Sequence, residues 1–508
     1  MAASTLWTGF VSERPADQAL KPRSDWALSW PLAVALMLFT ALMVVNAPLL
    51  LADPDSHWHI AIGRWILERG TVPTIDTHSH SFYGEPWIAK EWLSQVVMAT
   101  VFDAAGWGGL VVFAALMLAV SFGLMARLLL RDVGPLVAVG FAVAAAIMTA
   151  PHFLARPHII AFPFMLLWVA GLVRAVEERR TPPAILLLAM LAWANLHGGF
   201  TLGLMLAAAF ALEALLTEKD DAHRRTLFFE WAKLGIAAGL VSCITPYGAE
   251  SILVTVRIFS LDDALPMISE WRSPDFQTQQ GQLVIILVGL YFALSRGVKL
   301  PLFRTIFVVG LTYLYFKYAR NAELLAMLAP LIVAPVLARQ WPSLVPDWSA
   351  AAASFGQRLT QMGRPAGSKT LVMCCVAMLA VGALVARFGD LAPPKENTPD
   401  AALQFVRDNG ISGRVFNHYG FGGFLIREGV PTFIDGRGEL FGGAFIKAYV
   451  EVASLRGKEP LETLLDRHKI EWTLLLKDQA ANRLLERLPG WRHAYTDDTA
   501  TIFVRERP

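Results

Sequence analysis

Asp53-Pro54-Asp55-Ser56-His57-Trp58-His59 opens the stretch from Asp53 to Trp92, the largest polar interruption in a chain otherwise built from long apolar runs. Asp53 suits the N-cap of a helix, where its carboxylate accepts from free N–H groups, and Pro54 is preset for the first helical position. The helix should reach Arg69, because Gly70 fits the left-handed residue that follows a helix end and Pro73 comes soon after. Along it Trp58, Ile62, Trp65, Ile66 and Arg69 recur at three- and four-residue spacing, the pattern of a helix lying on a bilayer surface. Asp55 and His59 share one face, Asp53 and His57 another. A second surface helix is expected over 87–105, with a turn over 76–85 between the two.

Working outward, the chain is 508 residues long, 55% hydrophobic and only 17% charged, with a mean hydropathy of +0.47. That composition excludes an ordinary water-soluble domain and indicates an α-helical polytopic membrane protein. About eleven apolar runs approach the length that a bilayer-spanning helix needs: 30–51, 108–130, 134–150, 158–174, 183–196, 200–216, 227–245, 282–298, 301–317, 322–338 and 370–387. The first follows Arg14, Lys21 and Arg23, is too long for a typical signal peptide, and is expected to remain as an uncleaved anchor. The net charge of +2 is scattered over segment ends, so no basic patch points to nucleic acid. Cys243, Cys374 and Cys375 all fall in apolar segments, and no disulfide is expected.

Lys and Arg crowd alternate loops, for example Arg127 with Arg131, Arg174 with Arg179 and Arg180, and Lys219 with Arg224 and Arg225. By the positive-inside rule those loops are cytoplasmic. The reading is then a cytoplasmic segment 1–29, a transmembrane part 30–392 whose first outer loop is 52–107, and an outward-facing part 393–508. In the last part charged residues and turns become frequent. Helices from Pro399, over 444–453 and 460–468 and up to Leu488 alternate with strands at 414–418, 432–435, 472–476, 492–495 and 500–505, the pattern of a small α/β domain with a mixed sheet.

Polar residues recur on the outer side, where runs meet the surface: Arg156 and His158 in Pro151–His158, His197 beside Asn195, Glu270 and Arg272 in Glu-Trp-Arg-Ser-Pro, Arg320 and Asn321 in Tyr-Ala-Arg-Asn. Singly, each reads as an interfacial or snorkelling side chain. Together, Arg156, His158, His197, Arg272 and Arg320 form a ring of donors fit to hold a phosphate at headgroup level. Asp55 beside His59 is placed to take a proton from a hydroxyl, whereas Asp53 reads equally well as a plain helix cap. His57, His59, His78 and His80 with Asp53, Asp55 and Asp76 could hold a divalent metal, although neither histidine pair has the spacing of a helical zinc motif. Asp435-Gly436-Arg437-Gly438-Glu439 reads either as a binding loop or as a left-handed turn with a structural ion pair.

These features resemble the GT-C superfamily of membrane glycosyltransferases: an acidic pair just after the first span, a long first outer loop, many further spans and an outer C-terminal α/β part. The runs DPDSHWHIAIGRWIL, PWIAKEWL, TPYG, EWRSP, YARN, FNHYGFGGFL and FIDGRGEL are similar to a group of bacterial membrane proteins of this kind. The resemblance implies an inverting transfer of a sugar from a polyprenyl-phosphate donor to a lipid or glycan acceptor at the outer face of the bacterial inner membrane. It implies Asp55 or Asp53 as general base, and basic residues that stabilise the departing lipid phosphate. Lys90 and Glu91 in PWIAKEWL join Arg156, His158, His197, Glu270, Arg272, Arg320 and Asn321 as expected substrate contacts, and no cofactor is certain. A transporter or flippase, or a lipid-linked glycan polymerase or ligase, is the alternative. Transporters put ionisable groups at mid-membrane, and polymerases and ligases usually rely on a large late outer loop, whereas here the early loop is the larger.

Overall fold

The computed structural model describes residues 24–258, 271–346, 354–389 and 391–506. Each of the eleven apolar runs is helical, from Trp30–Val45 to Ser368–Phe388. Among the described residues six helices are long and apolar enough to cross a membrane by length and composition: Trp92–Leu129, Pro135–His152, Pro157–Glu177, Phe200–Thr217, Ala319–Gln340 and Ser368–Phe388. Trp30–Val45, Leu186–Leu196 and Gln280–Arg296 are shorter apolar helices. Several helix starts follow from local chemistry. The Ser29 hydroxyl accepts from Leu32 N and Pro31 occupies the first turn, and prolines open the helices at 135 and 157. Trp30–Val45 packs along Trp92–Leu129, which also meets Pro157–Glu177, and their apolar faces close over Phe39, Phe122 and Trp168 in one large core.

The first loop departs from expectation in two respects. Its first helix runs Asp55–Arg69 and ends on Gly70 at φ 62°, close to the expected bounds. The second does not start at residue 87: residues 87–91 are irregular, and the helix Trp92–Leu129 continues into the apolar run through a break at Ala105 and Gly106, where φ is 60° at the glycine. The aromatic face of Asp55–Arg69 does not lie on a bilayer either. Trp58, Ile62 and Ile66 are buried with Trp87 against Phe416, Ile426, Phe433 and Phe441 of the C-terminal part. Burying a large apolar side chain is worth about 1.5–3 kcal/mol, so three on one helix hold the loop to the C-terminal part more firmly than an interfacial contact would.

The C-terminal part carries a four-stranded mixed sheet of β1 (Arg414–Asn417), β2 (Ile470–Leu476), β3 (Trp491–Thr496) and β4 (Ala500–Arg505), in the order β1-β2-β4-β3. β1 runs parallel to β2, and the other neighbours are antiparallel. The expected strand over 432–435 is not part of it. Those residues bond instead to the first loop, with His80 N donating to Thr432 O at 2.9 Å and Thr432 N to His78 O at 3.1 Å, and to the buried side chain of Asn417, which accepts from Phe433 N at 2.8 Å. The expected helix over 444–453 begins earlier, at Gly438, and breaks at Gly442.

Candidate functional site

A cavity of roughly 700 Å³ lies where the first loop, the ends of the apolar helices on that side and the C-terminal part meet. The start of Asp55–Arg69 forms one wall. The Asp53 carboxylate accepts from Asp55 N at 2.8 Å, so it does cap the turn. Its other oxygen lies 3.0 Å from Arg156 Nε, while Asp55 Oδ2 lies 2.8 Å from Arg156 Nη2. One guanidinium therefore bridges both acids. Arg156 is held there because Ser56 Oγ donates to Ala155 O at 2.9 Å and Ala155 N donates to Leu50 O at 2.7 Å, which ties the turn to the loop helix.

Residues 87–91 form a second wall. Tyr247 of the TPYG run donates to Pro73 O at 2.9 Å and accepts from Ala89 N at 3.0 Å. Trp92 Nε1 donates to Asn195 Oδ1 at 3.0 Å, and Ser94 Oγ donates to Leu196 O at 2.7 Å. These ties present Lys90 and Glu91 to the cavity. Lys90 Nζ meets Glu439 Oε1 at 2.8 Å. Burial disfavours the charge on each, but the pairing outweighs it, raising the Lys90 pKa and lowering that of Glu439. Glu91 lies 3.8 Å from His59 Nε2 and 3.5 Å from His197 Nε2. Burial raises the Glu91 pKa against the pull of Lys90 and Arg156, and burial holds His59 neutral.

The opposite side carries His158, Arg320 and Asn321. His158 Nε2 is 3.7 Å from Glu323, and the Arg320 guanidinium lies over the Trp271 ring at 4.4 Å. The cavity thus gathers Asp53, Asp55, His59, Lys90, Glu91, Arg156, His158, His197, Arg320 and Asn321 of the expected residues. Arg272 does not line it; the side chain is exposed, and its carbonyl accepts from Ala319 N. Glu270 lies outside the described residues. Glu323, Tyr419 and Gly436 are lining residues that the sequence reading did not name as site residues. An acid two residues after Tyr-Ala-Arg-Asn was the available signal for Glu323.

The seven-residue metal set does not assemble: among the described residues no three His, Cys, Asp or Glu side chains group as ligands for an ion. His57 instead packs edge-on to Trp107 and Phe424, and Asp76 accepts from Arg437 Nη1 at 2.6 Å. The Asp435–Glu439 loop has the expected ion pair, Arg437 Nη2 to Asp435 Oδ2 at 2.7 Å, fully buried. It has no left-handed turn, since neither Gly436 nor Gly438 has positive φ. Gly436 is needed for proximity instead: a methyl there would fall 1.9 Å from Asp55 Oδ1.

No protein-family model and no curated protein matches the chain. Among solved structures it is similar to ArnT from Cupriavidus metallidurans bound to undecaprenyl phosphate, with a TM-score of 0.51 and 13% identity over 92% of this chain and 97% of that one. It is also similar to the oligosaccharyltransferase AglB from Archaeoglobus fulgidus in complex with an inhibitory peptide and a dolichol-phosphate, with a TM-score of 0.51 and 11% identity over 88% of this chain and 69% of that one. At such identities it is a likeness of fold. The chain shares the fold of these two membrane proteins.

Proposed function

We propose that the protein is an inverting glycosyltransferase that moves a sugar from a polyprenyl-phosphate donor to a hydroxyl of a lipid or glycan acceptor, at the outer face of the bacterial inner membrane. In this reading the N-terminus is cytoplasmic and residues 393–508 form an extracytoplasmic α/β domain. The observation that carries it is the bridging of Asp53 and Asp55 by Arg156 inside a cavity that also holds Arg320, Lys90 and four histidines. Such a site offers both a proton acceptor and a set of cations for a phosphate. The shared fold supports the donor class, since one of the similar structures holds undecaprenyl phosphate and the other dolichol-phosphate.

Asp55 accepts the proton of the acceptor hydroxyl as the oxygen attacks the anomeric carbon, and the bond from that carbon to the phosphate oxygen breaks with its electron pair on the lipid phosphate. Arg156 and Arg320 offset the charge that develops on the leaving phosphate. An arriving donor phosphate competes with the two carboxylates for Arg156, so Asp55 becomes a stronger base once the donor is seated. Asp53 keeps the helix start in place through its bond to Asp55 N.

The test is transfer of labelled sugar from a panel of undecaprenyl-phosphate hexoses and pentoses, by the full chain in proteoliposomes supplied with lipid and glycan extracts. Asp55→Asn should lose about 10²–10⁴-fold in rate and Asp53→Asn less. Full activity in both variants would remove the base assignment, and no transfer by the unaltered chain would contradict the whole reading.

A further inference from the structure

A second cavity, of about 290 Å³, lies behind Tyr419 in the C-terminal part. It opens beyond the carboxyl ends of the parallel strands β1 and β2, the position at which ligands enter open α/β sheets. His418 and Tyr419 follow β1, and Gln479 follows β2. Tyr449 and Ser454 come from the helix Gly438–Ala453 and its C-terminal end. Tyr419 lines this cavity and the main one, so a ligand in the second cavity meets a residue that also lines the main cavity with Asp55 and Glu439.

The walls are preorganised. Tyr419 N donates to Tyr449 Oη at 3.1 Å, and that hydroxyl donates to Asn417 O at 3.1 Å. The Asn417 side chain in turn holds Phe433 N and Ile434 O, at the start of the segment that leads to Gly436. Across the crevice, Asn482 donates to Leu476 O and Lys477 O, which fixes the turn that carries Gln479. One hydrogen-bonded unit therefore shapes both cavities.

The lining also states what fits. Among the described residues no Asp, Glu, Lys or Arg lines the second cavity, so a phosphate or a charged peptide finds no counter-charge there. It offers aromatic rings, amide and hydroxyl groups and one neutral histidine. His418 Nδ1 accepts from Gly420 N at 3.2 Å, which leaves the ring hydrogen on Nε2 as a donor, and burial lowers the His418 pKa to about 4. The volume is near the lower limit for ligand sites, about 300 Å³, a size for one or two rings. Aromatic faces with a few fixed neutral donors and acceptors suit a hydroxylated ring with apolar C–H faces.

We infer that the crevice between His418, Tyr419, Tyr449 and Gln479 is a subsite for an uncharged saccharide. On the transferase reading above, on which this assignment of role rests, the saccharide belongs to the acceptor and its far end reaches the main cavity past Tyr419.

The test is binding of methyl glucoside, galactoside, mannoside and N-acetylglucosaminide, and of maltose and cellobiose, to the full chain in lipid nanodiscs by saturation-transfer NMR. At least one should bind. Ser454→Phe, which fills the crevice, should weaken it tenfold or more, and Gln479→Ala severalfold, with the melting temperature of Gln479→Ala unchanged. No binding to the unaltered chain, or binding equal in both folded variants, would overturn the subsite. Should Ser454→Phe fail to fold, Gln479→Ala decides alone. A chain that binds saccharide through this crevice but transfers no sugar would contradict the transferase reading and leave the subsite standing.

Discussion

Asp55 Oδ1 packs against the backbone of Gly436 so closely that a Cβ on residue 436 would lie 1.9 Å from it. The proposed base is thus positioned from two directions, by Arg156 at 2.8 Å and by a loop of the C-terminal part. Gly436→Ala must move the carboxylate or the loop. If Asp55 is the base, the rate of transfer should fall on the order of 10²-fold, with little change in donor KM. Unchanged kcat in a folded Gly436→Ala variant would show that the position of Asp55 does not matter.

Arg437 is fully buried between Asp76 of the first loop and Asp435, and its guanidinium lies over Trp87 at 4.9 Å. Removing one member of such a cluster leaves an uncompensated buried charge and costs about 3–5 kcal/mol. Arg437→Ala and Asp76→Ala should each lower the melting temperature sharply, and the double variant should lose less than the sum. Additive losses, measured as a double-mutant cycle, would mean that the two groups do not act as a pair.

Among the described residues neither ring nitrogen of His57 has a hydrogen-bond partner, and burial, helped by Arg427, lowers its pKa to about 3. Below pH 6.5 the unfolded chain binds a proton there that the folded chain does not, so stability falls with pH between 6.5 and about 3. By pH 5 this amounts to about 2 kcal/mol. His57→Phe keeps the packing against Trp107 and Phe424 and removes the titration. Its melting temperature should match the unaltered chain near pH 7.5 and exceed it at pH 5; parallel pH curves would contradict this account.

Lys90 and Glu439 join the first loop to the C-terminal part in the cavity that holds Arg156 and Arg320. The lowered Glu439 pKa means that the stability drawn from this pair is present above the usual glutamate pKa of about 4.5 and is lost as pH falls through the lower, folded value. A double-mutant cycle with Lys90→Met and Glu439→Gln should give a coupling of about 1–3 kcal/mol at pH 7 that declines once the pH falls below the folded pKa of Glu439. A coupling that does not depend on pH would be contrary to a charge pair.

Much of this architecture was legible along the chain because it is local. The apolar runs, the Gly70 stop and the β2 and β4 strands follow from composition and period over ten to twenty residues. The site residues could be grouped because polar residues at the same-side ends of apolar helices must share a surface, which brought Arg156, His158, His197, Arg320 and Asn321 to one cavity. What stayed hidden depends on contacts between distant segments. Trp58, Ile62 and Ile66 have the same spacing whether they face lipid or the C-terminal part, so only the fold distinguishes the two. Thr432–Asp435 looks like a strand, but its partners are His78, His80 and Asn417 rather than a sheet edge. Nor does spacing reveal that one arginine serves both Asp53 and Asp55.

The central claim is that a lipid phosphate is held in this cavity, next to Asp55. Density for undecaprenyl phosphate in a structure of the complex tests it most directly. The phosphate should lie within ion-pair distance of Arg156 and Arg320, with Arg156 drawn away from at least one of the two aspartates. A phosphate bound elsewhere, with Arg156 still bridging Asp53 and Asp55, would contradict it.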